Sequence, residues 1–202
     1  MERLKNQMEF ILEVDKLKKI TRQSYITDGS RKENDTEHSW HLALMCLLLS
    51  EYSNEDIDVL KVMSMVLIHD IVEIDAGDTY AYDDAGNETK RERELKAAER
   101  IFGILPEDQR CSMMDLWEEF ETGETREAKF AAVLDRVQPI LLNHTTGGRA
   151  WREHEVREEQ ILKRNERTSE GSEKLWEFCR GMISENVARG SIIAGNGGQA
   201  GN

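Results

Sequence analysis

The chain has 202 residues and a formal net charge of −13, from 40 acidic against 27 basic side chains. That length suffices for one large domain with a buried core, or for a domain with a tail. The surplus of negative charge argues against a nucleic-acid polymer or an anionic membrane as the main partner; a small phosphorylated molecule stays open, because a metal and one or two arginines reverse the sign locally.

Leu4, Met8, Ile11, Leu12, Val14, Leu17 and Ile20 recur at helical spacing, so a first amphipathic helix is expected to run to about Thr21-Arg22. Residues 24–35, with Asp28-Gly29-Ser30, read as a loop. Thr36 or Asp35 then caps a helix from His38 to about Tyr52, apolar nearly all round and therefore buried. Asn54 or Asp56 opens a third helix that continues through Val59, Met63 and Val66 to Glu73. An acidic loop over 75–87 leads to a charged helix over 88–102, and Leu105-Pro106 opens another that ends near Phe120. After the break at 122–125, a helix over 127–142 carries Phe130, Val133, Leu134, Val137 and Leu141 inward, kinked or interrupted at Pro139.

Two weaker helices, about 152–167 and 172–188, complete one domain over 1–189. The Gly-rich stretch 190–202 lacks periodicity and reads as a disordered tail. No segment alternates with period two over a useful length, so the fold class is all-α. Cys46, Cys111 and Cys179 are far apart, without C-x-x-C spacing, which suggests reduced thiols in a cytoplasmic protein. Met1-Glu2-Arg3-Leu4-Lys5 lacks the apolar region of a signal peptide, and no apolar run approaches membrane-spanning length.

The most informative stretch is Val66-Leu67-Ile68-His69-Asp70-Ile71-Val72-Glu73, an apolar run interrupted by an adjacent imidazole and carboxylate. Burial without compensation costs roughly 2–7 kcal/mol even for a neutral polar group. A metal ion compensates a neighbouring His and Asp; a histidine bonded to its own aspartate is the plainer alternative. On a continuous helix, Glu73 follows His69 by four residues and Asp70 by three, so all three border one cavity. His38 opens the second helix, and Asp135 stands among the core residues 130–134. For Asp135 the alternative is a buried salt bridge to an arginine of another helix. Helices that each deliver a His or Asp inward build the metal sites of bundles. Two imidazoles with two carboxylates suit one divalent cation such as Mn, Co, Fe, Ni or Zn.

His38, His69-Asp70 and Asp135 at these intervals resemble the H…HD…D pattern of the HD-domain phosphohydrolases. Glu37-His38-Ser39, the run His69-Asp70-x-x-Glu73-x-x-x-x-Asp78, and Glu127-Ala128-Lys129-Phe130 resemble the 5′-deoxynucleotidase branch, and the resemblance covers about residues 12–142. It implies a helical HD-domain bundle with a buried site in which His38, His69, Asp70 and Asp135 hold one divalent metal. It also implies a homodimer that cleaves the 5′-phosphate from deoxyribonucleoside monophosphates. Arg22 would contact the phosphate, while Glu73 and Asp78 would handle the proton or orient substrate and water. Gln23 departs from the pattern: bacterial nucleotidases of this type have an aromatic residue there, credited with sensing deoxyribose.

Three functions are therefore weighed: a phosphomonoesterase of (deoxy)nucleoside 5′-monophosphates, an HD hydrolase of a phosphodiester or a di- or triphosphate, and a non-catalytic nucleotide-binding module. The lack of further basic residues next to Arg22 makes a triphosphate less attractive. The Gly147-Gly148 turn with Arg149 and Arg152 reads either as a basic lid or, by preference, as a surface turn with Trp151 packed inward. His41, one turn after His38, is read as either a support for the site or a packing residue.

Overall fold

The computed structural model describes residues 1–195, apart from the side chains of residues 84 and 85. The first amphipathic segment forms α1 (Glu2–Val14) and then tightens into a 3₁₀ turn, Asp15–Lys19. Only Leu17 of this segment is fully buried, and Leu4, Met8, Ile11 and Leu12 keep much of their surface exposed.

The segment expected to be a loop is instead a two-stranded antiparallel hairpin, β1 (Thr21–Tyr25) and β2 (Lys32–Asn34). Its turn is closed by Ile26 N–H donating to Arg31 O and Gly29 N–H donating to Ile26 O, with Gly29 at φ +70°. Asp28 Oδ1 accepts the Ser30 N–H, an Asx turn. These strands are short and polar, so they carry no alternating pattern. Arg22 accordingly lies within a strand and not at a helix end.

The hairpin runs straight into α2 (Asp35–Leu49). The cap is Asn34, not Thr36 or Asp35: its side chain accepts the Glu37 N–H, and Glu37 accepts the Asn34 N–H in return. That earlier start places Asp35 and His38 inside, one turn apart. A 3₁₀ turn (Ser50–Tyr52) and a short link lead to α3 (Val59–Ile68), capped by Asp58.

The expected continuous helix to Glu73 does not form. The chain tightens at His69–Val72 into a 3₁₀ turn and relaxes into the single-turn α4 (Glu73–Ala76), which Gly77 ends at φ +76°. In 3₁₀ geometry, side chains three apart eclipse, so Asp70 and Glu73 point the same way.

Next come α5 (Asp84–Glu88), α6 (Lys90–Phe102) and α7 (Glu107–Thr122), the last ended by Gly123 in the left-handed region. Helix α8 (Arg126–Thr145) is capped by Thr125 and passes through Pro139 without interruption. It is the central element, with Phe130, Ala131, Val133 and Leu134 fully buried and α2, α3, α7 and α12 packed around it.

The expected helix over 152–167 is broken into α9 (Arg149–Glu153) and α10 (Glu158–Arg164), followed by α11 (Thr168–Gly171). Gly171 lies so close to α8 that a Cβ there would meet the Lys129 carbonyl at 2.6 Å. Helix α12 (Glu173–Ala188), capped by Ser172, closes the bundle. The fold class is all-α, with one hairpin as the exception among the described residues.

The chain stays packed beyond residue 189. Ser191 and Ile192 are buried, and Ile193 pairs with Arg157, so the tail reading fails for these residues. Residues 196–202 lie outside the described residues. No helix among the described residues is long and apolar enough to cross a membrane.

Candidate metal centre

Four elements converge below a cavity of about 300 Å³: β1, the start of α2, the 3₁₀ turn after α3, and the middle of α8. His38 comes from α2 and Asp135 from α8, with His38 Nε2 at 3.1 Å from Asp135 Oδ1. His69 Nε2 stands 3.7 Å from the same oxygen and 3.1 Å from Asp70 Oδ1. Asp70 Oδ2 is in turn 3.9 Å from His38 Nε2. The four side chains expected to share a metal are therefore brought together from three separate helical segments.

The hydrogen bonds on the far side of each ring decide what these nitrogens can do. His69 Nδ1 faces the carbonyl of Val66 at 2.9 Å, and His38 Nδ1 faces Gln138 Oε1 at 3.1 Å. Both partners are acceptors, so both Nδ1 atoms carry the hydrogen, and in the neutral rings each Nε2 presents a lone pair. Those lone pairs point at carboxylate oxygens, which are lone-pair donors too. Buried His69 Nε2 has no hydrogen-bond partner. Acceptors aimed at acceptors call for a positive charge between them, and a divalent cation with nitrogen and oxygen ligands supplies it. His38, His69, Asp70 and Asp135 thus fit a metal and could hold one.

Absent such an ion, the site draws in a proton. Burial opposes charge on His69, but Asp70 and Asp135 outweigh it and push the imidazole up to about 10. His38 is instead pushed down, by burial and by Arg22. Burial favours the protonated acids, yet His69 and Arg22 hold Asp70, and His38 and His69 hold Asp135, below the ordinary carboxylate range.

A second acidic group adjoins the first. Carboxylate oxygens, one each from Asp35, Asp70 and Glu73, lie within 4.8 Å of one another, and all three residues are buried. Burial first, then Asp70, Asp35 and Asp78, push Glu73 up to about 11; burial and then Asp70 bring Asp35 to about 7. Glu73 Oε2 and Asp35 Oδ2 are both buried without a donor, a deficit that one shared proton removes. Arg22 Nη1 donates to Asp70 Oδ2 at 2.7 Å and lies 3.3 Å from Asp35 Oδ1, which leaves its buried Nε–H unused. Asp78 lines the cavity, its acidity weakened mainly by burial.

The profile of the HD domain matches residues 14–176. The chain belongs to the HD-domain family. A crystal structure of a predicted metal-dependent phosphohydrolase from Magnetospirillum magnetotacticum is 49% identical, with a TM-score of 0.91 over 95% of this chain and 96% of that one. The proteins named 5′-deoxynucleotidase HDDC2 from Bos taurus and Homo sapiens are each 32% identical, over 68% and 66% of this chain. The match spans just under two thirds of those relatives, 66% and 65% of their lengths.

Around the HD residues, the structure adds groups that sequence reasoning missed. Gln138, fully buried, accepts from His38 and donates to Glu33 Oε1 at 2.7 Å, and its amide also reaches His41 Nδ1 at 3.3 Å. Its signal was its place one turn after Asp135 on the same helix face. Asp35 and Glu33 were hidden in the segment read as a loop. Phe120 packs against His69, ring centroids 4.9 Å apart.

Beyond the acidic site, basic residues also line the cavity. Lys90, Lys129, Arg136, Arg164 and Arg167 all line the same cavity, so the fold supplies from distant segments the basic residues that the chain lacks next to Arg22. Burial and the neighbouring Arg164 weaken the Arg136 guanidinium's hold on its proton. The Arg149–Arg152 turn is no lid: Arg149 donates to Gly29 O and stacks 3.9 Å from the Tyr25 ring, Arg152 is bonded within its own turn, and Trp151 is buried. Gln23 lines the cavity with its Oε1 taken by Lys32 and, at 3.3 Å, His154.

Proposed function

We propose that the protein is a metal-dependent phosphomonoesterase that hydrolyses (deoxy)nucleoside 5′-monophosphates to nucleoside and phosphate. The observation that carries this reading is the pair of Nε2 lone pairs aimed at Asp70 and Asp135 beside an arginine with an unused buried donor. Kinship with proteins named 5′-deoxynucleotidase supports the nucleotide part of it.

His38, His69, Asp70 and Asp135 would hold a divalent cation, which would supply Lewis-acid chemistry by lowering the pKa of water towards about 7 and offsetting charge on phosphoryl oxygens. Arg22, braced by Asp70 and Asp35, lines the cavity, contacts the phosphate and fixes its orientation. Glu73, buried beside Asp35 and facing the cavity, carries the proton that the departing 5′-oxygen needs. Asp78 orients substrate and water from the cavity rim. Tyr80, Tyr82 and Trp151 line the same cavity and offer apolar faces to a nucleoside. Deoxyribonucleotides are preferred, but Gln23 lines the cavity where bacterial nucleotidases of this type have an aromatic residue, so the discrimination against ribonucleotides is weak.

We also propose a homodimer working in the cytoplasm, each chain forming one domain. Trp40, Leu44, Leu47 and Leu48 recur at helical spacing on α2 and are exposed, with Leu60 and Leu67 of α3 exposed as well. Leu47→Asp should therefore yield monomer in sedimentation analysis; an unchanged dimer would place the interface elsewhere. The activity is tested by phosphate release from ribo- and deoxyribonucleoside mono-, di- and triphosphates, with added divalent metal or with chelator. Metal-dependent release from 5′-monophosphates is expected, and release from polyphosphates alone, or from nothing, refutes the assignment.

A further inference from the structure

The five cations on the cavity's basic wall are not equally spoken for. Lys90 pairs with Glu94 at 3.4 Å, Lys129 with Glu170 at 3.6 Å, and Arg167 with Glu170 at 3.0 Å and Glu124 at 3.2 Å. Arg136 and Arg164 make no ion pair or side-chain hydrogen bond among the described residues. Asp135, next to Arg136 in the chain, faces both histidines and lies 4.0 Å from Arg22. Arg136 is half-buried, so its charge is partly stripped of water without a fixed counter-ion, an arrangement that costs stability unless an anion arrives.

The backbone places these groups for one ligand. Lys129, Ala132 and Arg136 line the cavity from one face of α8, and two turns separate the first from the last, roughly 10 Å along the axis. Ala132 between them leaves that face open. Arg164, the last residue of α10, and Arg167, just beyond it, reach the same space from the chain that packs on α8 through Gly171. Arg136 and Asp135 are sequence neighbours, so the basic wall begins where the acidic site ends. A guanidinium fork matches phosphoryl oxygens in a bidentate way, and two unpaired forks favour a dianion.

We propose that Arg136 and Arg164 form a second phosphoryl subsite in this cavity, so that the preferred substrate is a nucleotide carrying a phosphoryl group besides the one removed. This rests on the phosphomonoesterase reading and narrows its substrate class. The second group sits either elsewhere on the sugar or further along a phosphate chain, and both offer the same anion to the wall.

The test is calorimetry on the metal-loaded protein with ligands that cannot be hydrolysed: a nucleoside 5′-methylenephosphonate, the same compound with a 3′-methylenephosphonate, and a nucleoside α,β-methylene diphosphate. At least one of the two ligands with a second phosphoryl group should bind tenfold or more tightly than the simple phosphonate, and the one that does identifies where the second group sits. The ratio should fall to within twofold of one in Arg164→Gln, an exposed position where folding is not at stake, and likewise in Arg136→Gln. No gain for either ligand, or a gain that both variants retain, overturns the subsite. Phosphate release from a plain 5′-monophosphate is measured beside it: its absence would refute the phosphomonoesterase reading, while a gain lost in both variants would still establish the subsite.

Discussion

Gln138 offers a sharp perturbation because it touches no ligand and yet sets the state of one. Its Oε1 accepts the His38 Nδ1 hydrogen at 3.1 Å, and its Nε2 donates to Glu33 Oε1 at 2.7 Å inside the protein. Gln138→Met keeps the length and most of the volume and removes both bonds. His38 is then free to carry its hydrogen on Nε2, the atom that must stay bare to bind a cation. Loss of an outer partner of this kind typically costs about 10–100-fold in metal affinity. Separately, Glu33 and His38 are left with unmet hydrogen-bonding groups in the interior, costing about 1–3 kcal/mol of stability. For a chain of this size, each 1 kcal/mol lowers Tm by roughly 2–4 °C. Affinity is read by competition with a chelating dye and stability by calorimetry without metal. A variant with lowered Tm and metal affinity within twofold of the parent would make Gln138 a packing residue and refute the tautomer argument.

Three further outcomes follow from the site and its frame. Asp70→Ala removes a carboxylate whose two oxygens face one imidazole each, together with the brace of Arg22, so metal content and turnover should fall together; a variant that keeps both takes Asp70 out of the site. Glu73→Gln should keep the metal and lose turnover by about 10²–10⁴, the usual worth of a positioned proton carrier; unchanged kcat excludes that role. Asn34→Ala dismantles the capping box that starts α2 and should cost about 1 kcal/mol in denaturant unfolding; an unaltered midpoint would mean the cap contributes nothing.

The legible parts of the site were those where a polar residue breaks an apolar pattern. His69 and Asp70 stand in a run of branched aliphatics, and Asp135 follows Phe130, Val133 and Leu134, so burial could be inferred without coordinates. Asp35 and Glu33 carry the same kind of burial inside a polar segment, where one more acid raises no suspicion. The hairpin that buries them has strands of five and three residues, too short and too polar for a period-two signal. The tightening at His69–Val72 was equally hidden, since the run fits a continuous α-helix and only packing selects the 3₁₀ turn. Arg164 and Arg167 lie in a stretch dense with charge, and it is the packing of α10 and α11 against α8 that turns them to the cavity.

The central claim is that a bare nitrogen from each of two histidines and the carboxylates of Asp70 and Asp135 grip one cation. Elemental analysis of the protein after dialysis against a divalent metal tests it most directly, with His69→Ala and Asp135→Ala measured alongside. One tightly held ion per chain, absent from both variants while their helical circular dichroism persists, is the predicted result. A folded parent that retains no ion, or variants that retain a full equivalent, would contradict it.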